Sequence, residues 1–144
     1  MNKRKSVAFQ GERGAYSEEA ILSFFKSDVI VSPHPTLFDT FEAVQKKNVD
    51  FAVVPVENSL EGSVNETYDL LLSTDLKVQG EIKLRIQHSL IARPELKISK
   101  IRTVYSHPQA LAQCRKYLRN LGVTLVATYD TAGSVKIIRE KKSN

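Results

Sequence analysis

Short apolar segments alternate with segments of helical spacing through the first half of the chain, and this alternation constrains the fold more than any other feature. Strands are predicted at residues 7–9, 29–31 and 51–54, the last apolar throughout, as in a central parallel strand covered on both faces. Apolar residues recur at helical spacing over residues 16–25 and 37–44, between these strands. Strand alternating with helix predicts an α/β fold.

The period changes after a predicted helix that carries Tyr68 and Leu72, for which Ser63 and Glu66 have the spacing of a capping box. From residue 76 to residue 90, the even positions are apolar apart from a glycine and a histidine, and the odd positions are all polar. This alternation predicts strand structure with one buried face. Fifteen residues exceed a usual strand, so we expect a break near Gly80.

The chain is expected to cross from one lobe into another at this break, giving a first lobe at residues 1–76 and a second at residues 77–144. In the second lobe, strands are predicted at residues 101–105 and 123–127. A helix over residues 108–121 with its stop at Gly122 lies between them, and another helix begins at Thr131.

Composition excludes several classes of function. The formal net charge of +5 includes basic clusters at residues 3–5 and 139–142, while the middle of the chain alternates signs, so no nucleic-acid partner is predicted. A lone cysteine and three widely separated histidines predict neither a disulfide nor a metal site. Because the N-terminal segment lacks the apolar run of a secretory signal or membrane span, we expect a cytoplasmic protein without a membrane partner.

Polar residues collect where strands are predicted to end, at residues 11–17, 55–62, 105–109 and 128–134. In open α/β sheets, ligands bind beyond the carboxyl ends of strands, where helix N-termini present free N–H groups. Ser106 and Gln109 have capping-box spacing, which favours a simple helix start. Gln113 lies one turn further on the same side, so the same turn is also a candidate anion site.

Each of these residues also has a structural interpretation. Residues 54–62 are by spacing a turn, and the glycines at 11 and 14 do not form a dinucleotide-binding motif. His107 is interpreted as a turn residue, His88 as a core histidine on a buried strand face, and Cys114 as a packing residue.

Four segments resemble one family. Residues 51–72, with Val-Pro-Val-Glu-Asn-Ser-Leu-Glu-Gly-Ser-Val at their centre, are similar to the Glu-Asn-Ser signature of prephenate dehydratases. Ser-His-Pro-Gln-Ala-Leu-Ala-Gln-Cys at residues 106–114 resembles the second signature of that family. Residues 11–17 approximate its opening Gly-x-x-Gly-aromatic-Ser turn, and residues 130–132 resemble its Ser-Thr-Ala segment. Four motifs in the right order across nearly the whole chain make the resemblance specific.

The resemblance implies a two-lobed α/β fold similar to type II periplasmic binding proteins, with the substrate in a cleft between the lobes. It implies conversion of prephenate to phenylpyruvate, carbon dioxide and water in phenylalanine biosynthesis, without a cofactor. Carried over by position, three residues are implied as catalytic or substrate-contacting and a fourth as supporting them: Asn58, Ser106, Gln113 and the supporting Glu57. Three further residues are implied as binding the substrate carboxylates: Ser17, Ser59 and Thr131.

The chain departs from the family pattern at its end. No Thr-Arg-Phe motif occurs in these 144 residues, and they include no counterpart of the phenylalanine-binding ACT domain that commonly follows in the family. We therefore expect an incomplete second lobe, and we expect phenylpyruvate formation from the full-length protein. Unfinished sheet edges would favour pairing with a second copy, which predicts a homo-oligomer. The alternative function is a non-enzymatic two-lobed protein that binds an aromatic or dicarboxylic metabolite.

Overall fold

The computed structural model describes residues 4–26, 28–59 and 62–140, and the chain divides into two compact units, Met1–Arg85 and Ile86–Asn144. The predicted turn residues 60 and 61 lie outside the described residues, as do residues 3, 141 and 142 of the two basic clusters. Mixed α/β structure with parallel strand pairing occurs in both units, so the predicted fold class is confirmed at this level.

The first unit is built around a parallel three-stranded sheet in the order β2-β1-β3. Its strands are β1 (Lys5–Gln10), β2 (Val29–His34) and β3 (Phe51–Val53), and its helices are α1 (Tyr16–Phe25), α2 (Leu37–Gln45) and α3 (Asn65–Leu72). A two-stranded antiparallel hairpin, β4 (Glu57–Asn58) and β5 (Gly62–Ser63), lies between β3 and α3. The predicted βα units are therefore present at the predicted positions.

The core of this unit forms where the middle strand meets the first helix. Val7 and Phe9 of β1 and Ile21 of α1 are fully buried, with half-buried apolar side chains packed around them. Burying each such side chain stabilises the fold by about 1.5 to 3 kcal/mol. The middle strand of the described sheet is therefore β1. Among the described residues β3 pairs with β1 alone and is half-buried, so the prediction that the third strand is central is wrong.

The second unit contains a parallel pair of strands, β6 (Thr103–Ser106) and β7 (Thr124–Ala127). Helices α4 (Pro108–Gln113) and α5 (Arg115–Leu121) connect them, and α6 (Gly133–Glu140) follows β7. Ala110, Leu111 and Leu118 of the connecting helices are buried, as their helical spacing predicts. Gly122 ends α5 with φ of 65°, in the left-handed region that favours glycine.

The predicted helix over residues 108–121 is interrupted at one residue. Cys114 has φ −92° and ψ 5°, which departs from helical geometry, although its N–H still donates to the Ala110 carbonyl as in a regular helix. No glycine or proline marks this position in the sequence. Gln113 is consequently the last residue of α4, and Cys114 is half-buried between the two helices.

The predicted strand over residues 76–90 is wrong, because the structure assigns no strand to these residues. Every odd position in the segment is exposed, but only four of the even positions, residues 76, 82, 84 and 88, are half-buried. A strand requires a hydrogen-bonding neighbour as well as an alternating pattern. In the part of the chain that the structure describes, no ladder pairs with this segment.

The capping box predicted at Ser63 and Glu66 is also wrong. Ser63 pairs with Glu57 in the hairpin, so α3 begins only at Asn65 and its N-cap position falls on Val64, which has no side-chain cap. An intact cap occurs instead at α2, where the Thr36 hydroxyl accepts the N–H of Asp39 at 3.0 Å.

Helices suited to crossing a membrane are absent from residues 4–26, 28–59 and 62–140, since none combines sufficient length with sufficient apolar character.

Candidate functional site

Two polar turns of the first unit follow strands that are parallel neighbours. Because Phe9 of β1 lies opposite Val53 of β3, both strands end at the same edge of the sheet. The turn after β1 leads into residues 11–17, and the turn after β3 leads into the hairpin at residues 57–63. The topology therefore places the first two predicted site segments at one carboxyl edge, as expected for an α/β sheet.

The turn after β1 is held by its own side chains. The Gly14 N–H donates to the Glu18 carboxylate at 2.6 Å, and Arg13 lies 3.5 Å from the same carboxylate. Gly14 has φ of 87°, a conformation that favours glycine. Ser17 is half-buried in the first turn of α1, so the predicted helix start is confirmed, while a substrate contact by Ser17 stays a prediction.

The hairpin after β3 carries three of the residues implied by the family signature. Glu57 and Asn58 form β4, and Ser59 follows in the turn. Asn58 is half-buried, whereas Glu57 and Ser59 are exposed. The sequence predicted only a turn here, because a two-residue strand leaves no periodic pattern.

Thr67 of α3 fixes the start of this turn, and sequence analysis did not single it out. Its side chain is fully buried, and its hydroxyl donates to the Pro55 carbonyl at 2.7 Å. The Val64 N–H donates to the Val56 carbonyl at 2.9 Å beside it. Two hydrogen bonds therefore tie the approach to Asn58 to the helix that follows.

Replacing Thr67 with valine keeps the shape of the side chain but leaves the Pro55 carbonyl without this donor. We expect the free energy of unfolding to fall by about 1 to 3 kcal/mol, the usual effect of leaving a polar group without its partner. Urea unfolding followed by circular dichroism measures the change. Thr124→Val, at an exposed strand position, is the control and should shift the midpoint little. Equal stability of the two variants would contradict this role.

In the second unit, Ser106 and Thr131 lie together at a carboxyl edge. Ser106 ends β6 opposite Ala127 of β7, and the Thr128 N–H donates to the Ser106 carbonyl at 2.9 Å. The Ser106 side chain is only 8% exposed, and its hydroxyl donates to the Thr131 hydroxyl at 3.3 Å. The structure thus brings together two predicted site residues that are 25 positions apart in sequence.

The turn after β7 is closed by an aspartate. The Asp130 carboxylate accepts the Gly133 N–H at 2.6 Å, and the Asp130 carbonyl accepts the Ser134 hydroxyl at 2.8 Å. The hydroxyls of Thr128 and Ser134 lie 2.7 Å apart. These bonds fix the backbone on both sides of Thr131.

The start of α4 differs from the predicted capping box. Ser106 belongs to the strand, so the N-cap is His107, whose Nδ1 accepts the Gln109 N–H at 3.3 Å. The capping prediction for Ser106 is therefore wrong, and its hydroxyl is directed to Thr131 instead. His107 acts as a turn and cap residue, in agreement with its structural interpretation.

Gln113 contacts a residue that sequence analysis had assigned to the core. His88 Nε2 lies 2.7 Å from Gln113 Oε1, and both side chains are half-buried. His88 has a hydrogen-bond partner, as expected of a core histidine, but it is half-buried and lies in a segment without assigned secondary structure, so its predicted place on a buried strand face is wrong. No spacing rule links these two positions in the sequence.

Among the described residues, no group of three or more His, Cys, Asp or Glu side chains is arranged to hold a metal ion. Both edges carry hydroxyl, amide and backbone N–H groups beside several carboxylates. Such groups donate hydrogen bonds and suit an anionic ligand. The fold and these residues define an α/β protein with polar edges at the carboxyl ends of parallel strands, the place where open α/β sheets bind their ligands.

Comparison with known proteins names the family. The family model described as prephenate dehydratase matches residues 7–144. Arogenate dehydratase 2 of Petunia hybrida is 49% identical over 94% of the chain, which covers 34% of that protein. Prephenate dehydratase of Methanocaldococcus jannaschii is 44% identical over 96% of the chain, which covers 50% of it. The chain belongs to the prephenate dehydratase family.

Solved structures agree with the fold. A protein described as a novel type of quorum quenching acylase, GqqA, has a TM-score of 0.84 and 34% identity over 94% of the chain and 50% of its own. Prephenate dehydratase from Arthrobacter aurescens, solved in complex with L-Phe, has a TM-score of 0.76 and 28% identity over 95% of the chain and 46% of its own. The chain thus spans between a third and a half of the curated relatives reported above.

Proposed function

We propose that the protein carries the dehydratase reaction of its family, the conversion of prephenate to phenylpyruvate, carbon dioxide and water in phenylalanine biosynthesis. The observation that supports this most directly is positional. Four segments that resemble family motifs all fall at the carboxyl ends of parallel strands, two in each unit. Two implied site residues, Ser106 and Thr131, are in hydroxyl contact there.

The chemistry suits groups that donate hydrogen bonds. Prephenate has two carboxylates, and the bond between the ring and its own carboxylate breaks to release carbon dioxide. The electron pair moves through the ring, which becomes aromatic, and the ring hydroxyl leaves as water after it gains a proton. The protein must hold the dianion in the reactive conformation and stabilise the departing oxygen.

Asn58, Ser106 and Gln113 are proposed as the residues that contact the reacting substrate, with Glu57 in a supporting role. Ser17, Ser59 and Thr131 are proposed to bind the carboxylates. A two-lobed fold similar to periplasmic binding proteins, with a substrate cleft between the lobes, is part of this proposal. A cytoplasmic location and homo-oligomeric assembly also stay predictions.

The test is a product assay on the protein as its gene encodes it. Prephenate should yield phenylpyruvate, identified by its absorbance in alkali and by mass spectrometry, faster than the uncatalysed reaction. Arogenate is assayed in parallel because the Petunia relative is named for it. Phenylalanine formed from arogenate, without phenylpyruvate from prephenate, would overturn the substrate assignment but not the reaction class.

Calorimetry separates catalysis from the alternative of a non-enzymatic binding protein. A dehydratase should show heat from turnover together with product. Saturable binding of prephenate without product would favour the binding protein. Neither binding nor product, from either substrate, would overturn both proposals.

An acylase is the second candidate, and the structural match to the GqqA protein is the observation that favours it. An acylase that works through a serine needs a base beside the nucleophile. The buried hydroxyl of Ser106 instead donates to the hydroxyl of Thr131, which is not a base. We therefore rank this candidate below the dehydratase. Release of a free acid from an acylated quorum-sensing signal, lost in Ser106→Ala, would reverse that order.

A further inference from the structure

His88 reaches a residue that the proposed function places at the reaction. It precedes β6 in a segment without assigned helix or strand, and its Nε2 lies 2.7 Å from the Oε1 of Gln113 at the end of α4. The contact joins positions 25 residues apart, and both side chains are half-buried. This distance lies within the usual range of an N–H···O hydrogen bond.

The chemistry of the two groups determines which of them donates the hydrogen bond. The amide oxygen of Gln113 can only accept, so His88 contributes the proton on Nε2. The oxygen of Gln113 is then occupied by the imidazole, and its NH₂ group is directed away from His88. A glutamine side chain loses substantial rotamer entropy when it is ordered. A partner that orders it before substrate binds therefore favours the reactive complex.

We propose that His88 is a positioning residue, which orients the Gln113 amide so that its NH₂ group presents donors to the substrate. This inference rests on the proposed function, because it assigns His88 a role in the same reaction. His88 itself does not contact the substrate in this proposal. Its effect on turnover passes through Gln113.

The proposal is tested by steady-state kinetics of the full-length protein with two substitutions at His88. His88→Leu fills similar space but cannot donate, and we expect kcat with prephenate to fall about 3- to 10-fold, the effect of one neutral hydrogen bond. His88→Gln places an N–H donor at a similar reach, so it should restore most of the lost rate. Ser89→Ala, at the exposed neighbouring position, is the control and should keep the original kcat.

A double-mutant cycle then shows whether His88 acts through Gln113. In a Gln113→Ala background, adding His88→Leu should cost no further rate, because nothing remains to be oriented. Additive losses would overturn the proposal, since His88 would then act independently. Failure of His88→Gln to restore the rate would also overturn it, because packing rather than donation would explain the loss.

NMR of the imidazole nitrogens gives a readout that does not depend on activity. In the wild-type protein, the His88 ring should carry its proton on Nε2. The nitrogen resonance of His88 Nε2 should shift in Gln113→Ala but not in Gln45→Ala. The resonances that disappear in the spectrum of His88→Gln are assigned to the His88 ring. An unchanged His88 signal in Gln113→Ala would overturn the hydrogen bond and the positioning role.

The two proposals fail in different ways. If the original protein forms no product from prephenate or arogenate, the proposed function is overturned. If the original protein is active and His88→Leu retains the full rate, only the positioning role is overturned.

Discussion

Gln113→Ala is expected to lower kcat for phenylpyruvate formation by about 10²- to 10³-fold, the effect of removing one hydrogen-bond donor that acts on a developing charge. Gln113 ends α4, and its oxygen is bonded to His88 at 2.7 Å, so the amide is held before substrate arrives. A donor fixed in this way stabilises the transition state without reorganising during the reaction. The assay is steady-state turnover of prephenate by the protein as encoded.

The control for this substitution is Gln45→Ala. Gln45 is also the last residue of its helix, α2, and its side chain is exposed, so the same atoms are removed where no function is proposed. Circular dichroism and thermal unfolding should show that both variants keep the fold. An unchanged kcat in Gln113→Ala, with the original protein active, would remove Gln113 from the proposed mechanism.

Local pattern was sufficient to predict most of the helices and strands. The helix α1 occupies residues 16–25 as predicted, because apolar spacing and flanking glycine both act within a few residues. The strand β1 and the stop at Gly122 follow from equally local signals. The parallel direction of β1, β2 and β3 then follows from the βα connections, whereas their order does not.

Prediction failed where structure depends on a partner distant in sequence. Residues 76–90 have an alternating pattern, but a pattern alone supplies no hydrogen-bonding neighbour. The middle position of β1 in the sheet depends likewise on which strands pair, not on apolar content. The failure at Ser63 has a local cause, because Ser63 has the spacing of a cap but pairs with Glu57 in the neighbouring strand of the hairpin instead.

The candidate site shows the same division. The resemblance identified Ser106 and Thr131, and the structure adds that their hydroxyls lie 3.3 Å apart. The resemblance did not identify Thr67, whose buried hydroxyl donates to the Pro55 carbonyl. It also did not identify the contact of His88 with Gln113. A single sequence contains no pattern that shows which hydrogen-bond partner a threonine or a histidine will have in the fold. Their roles depend on the groups that the fold brings to them.

Asn58→Asp tests the first unit, and we expect it to have the largest effect of the variants described here. Asn58 lies half-buried in β4, beyond the carboxyl end of β3. The substitution changes almost no atom positions, but it replaces an amide donor with a negative charge beside a doubly negative substrate. At about 4 Å and an effective dielectric constant of about 20, this repulsion is about 4 kcal/mol, which corresponds to roughly a thousandfold loss in kcat/KM.

Two further variants separate the effect of the added charge from the effect of the lost donor. Asn58→Ala removes the donor without adding charge, so its loss should be smaller than that of Asn58→Asp, and it should depend less on salt. Asn65→Asp adds the same charge at an exposed position in the first turn of α3, where a carboxylate suits the helix N-terminus, and it should leave kcat/KM unchanged. If Asn58→Asp and Asn65→Asp had equal activity, the hairpin that carries Asn58 would not contact the anionic substrate. Because Asn58→Ala and Asn58→Asp both lack the amide donor, the difference between their kcat/KM values measures the repulsion between the added charge and the substrate. That repulsion grows as the substrate comes nearer to Asn58.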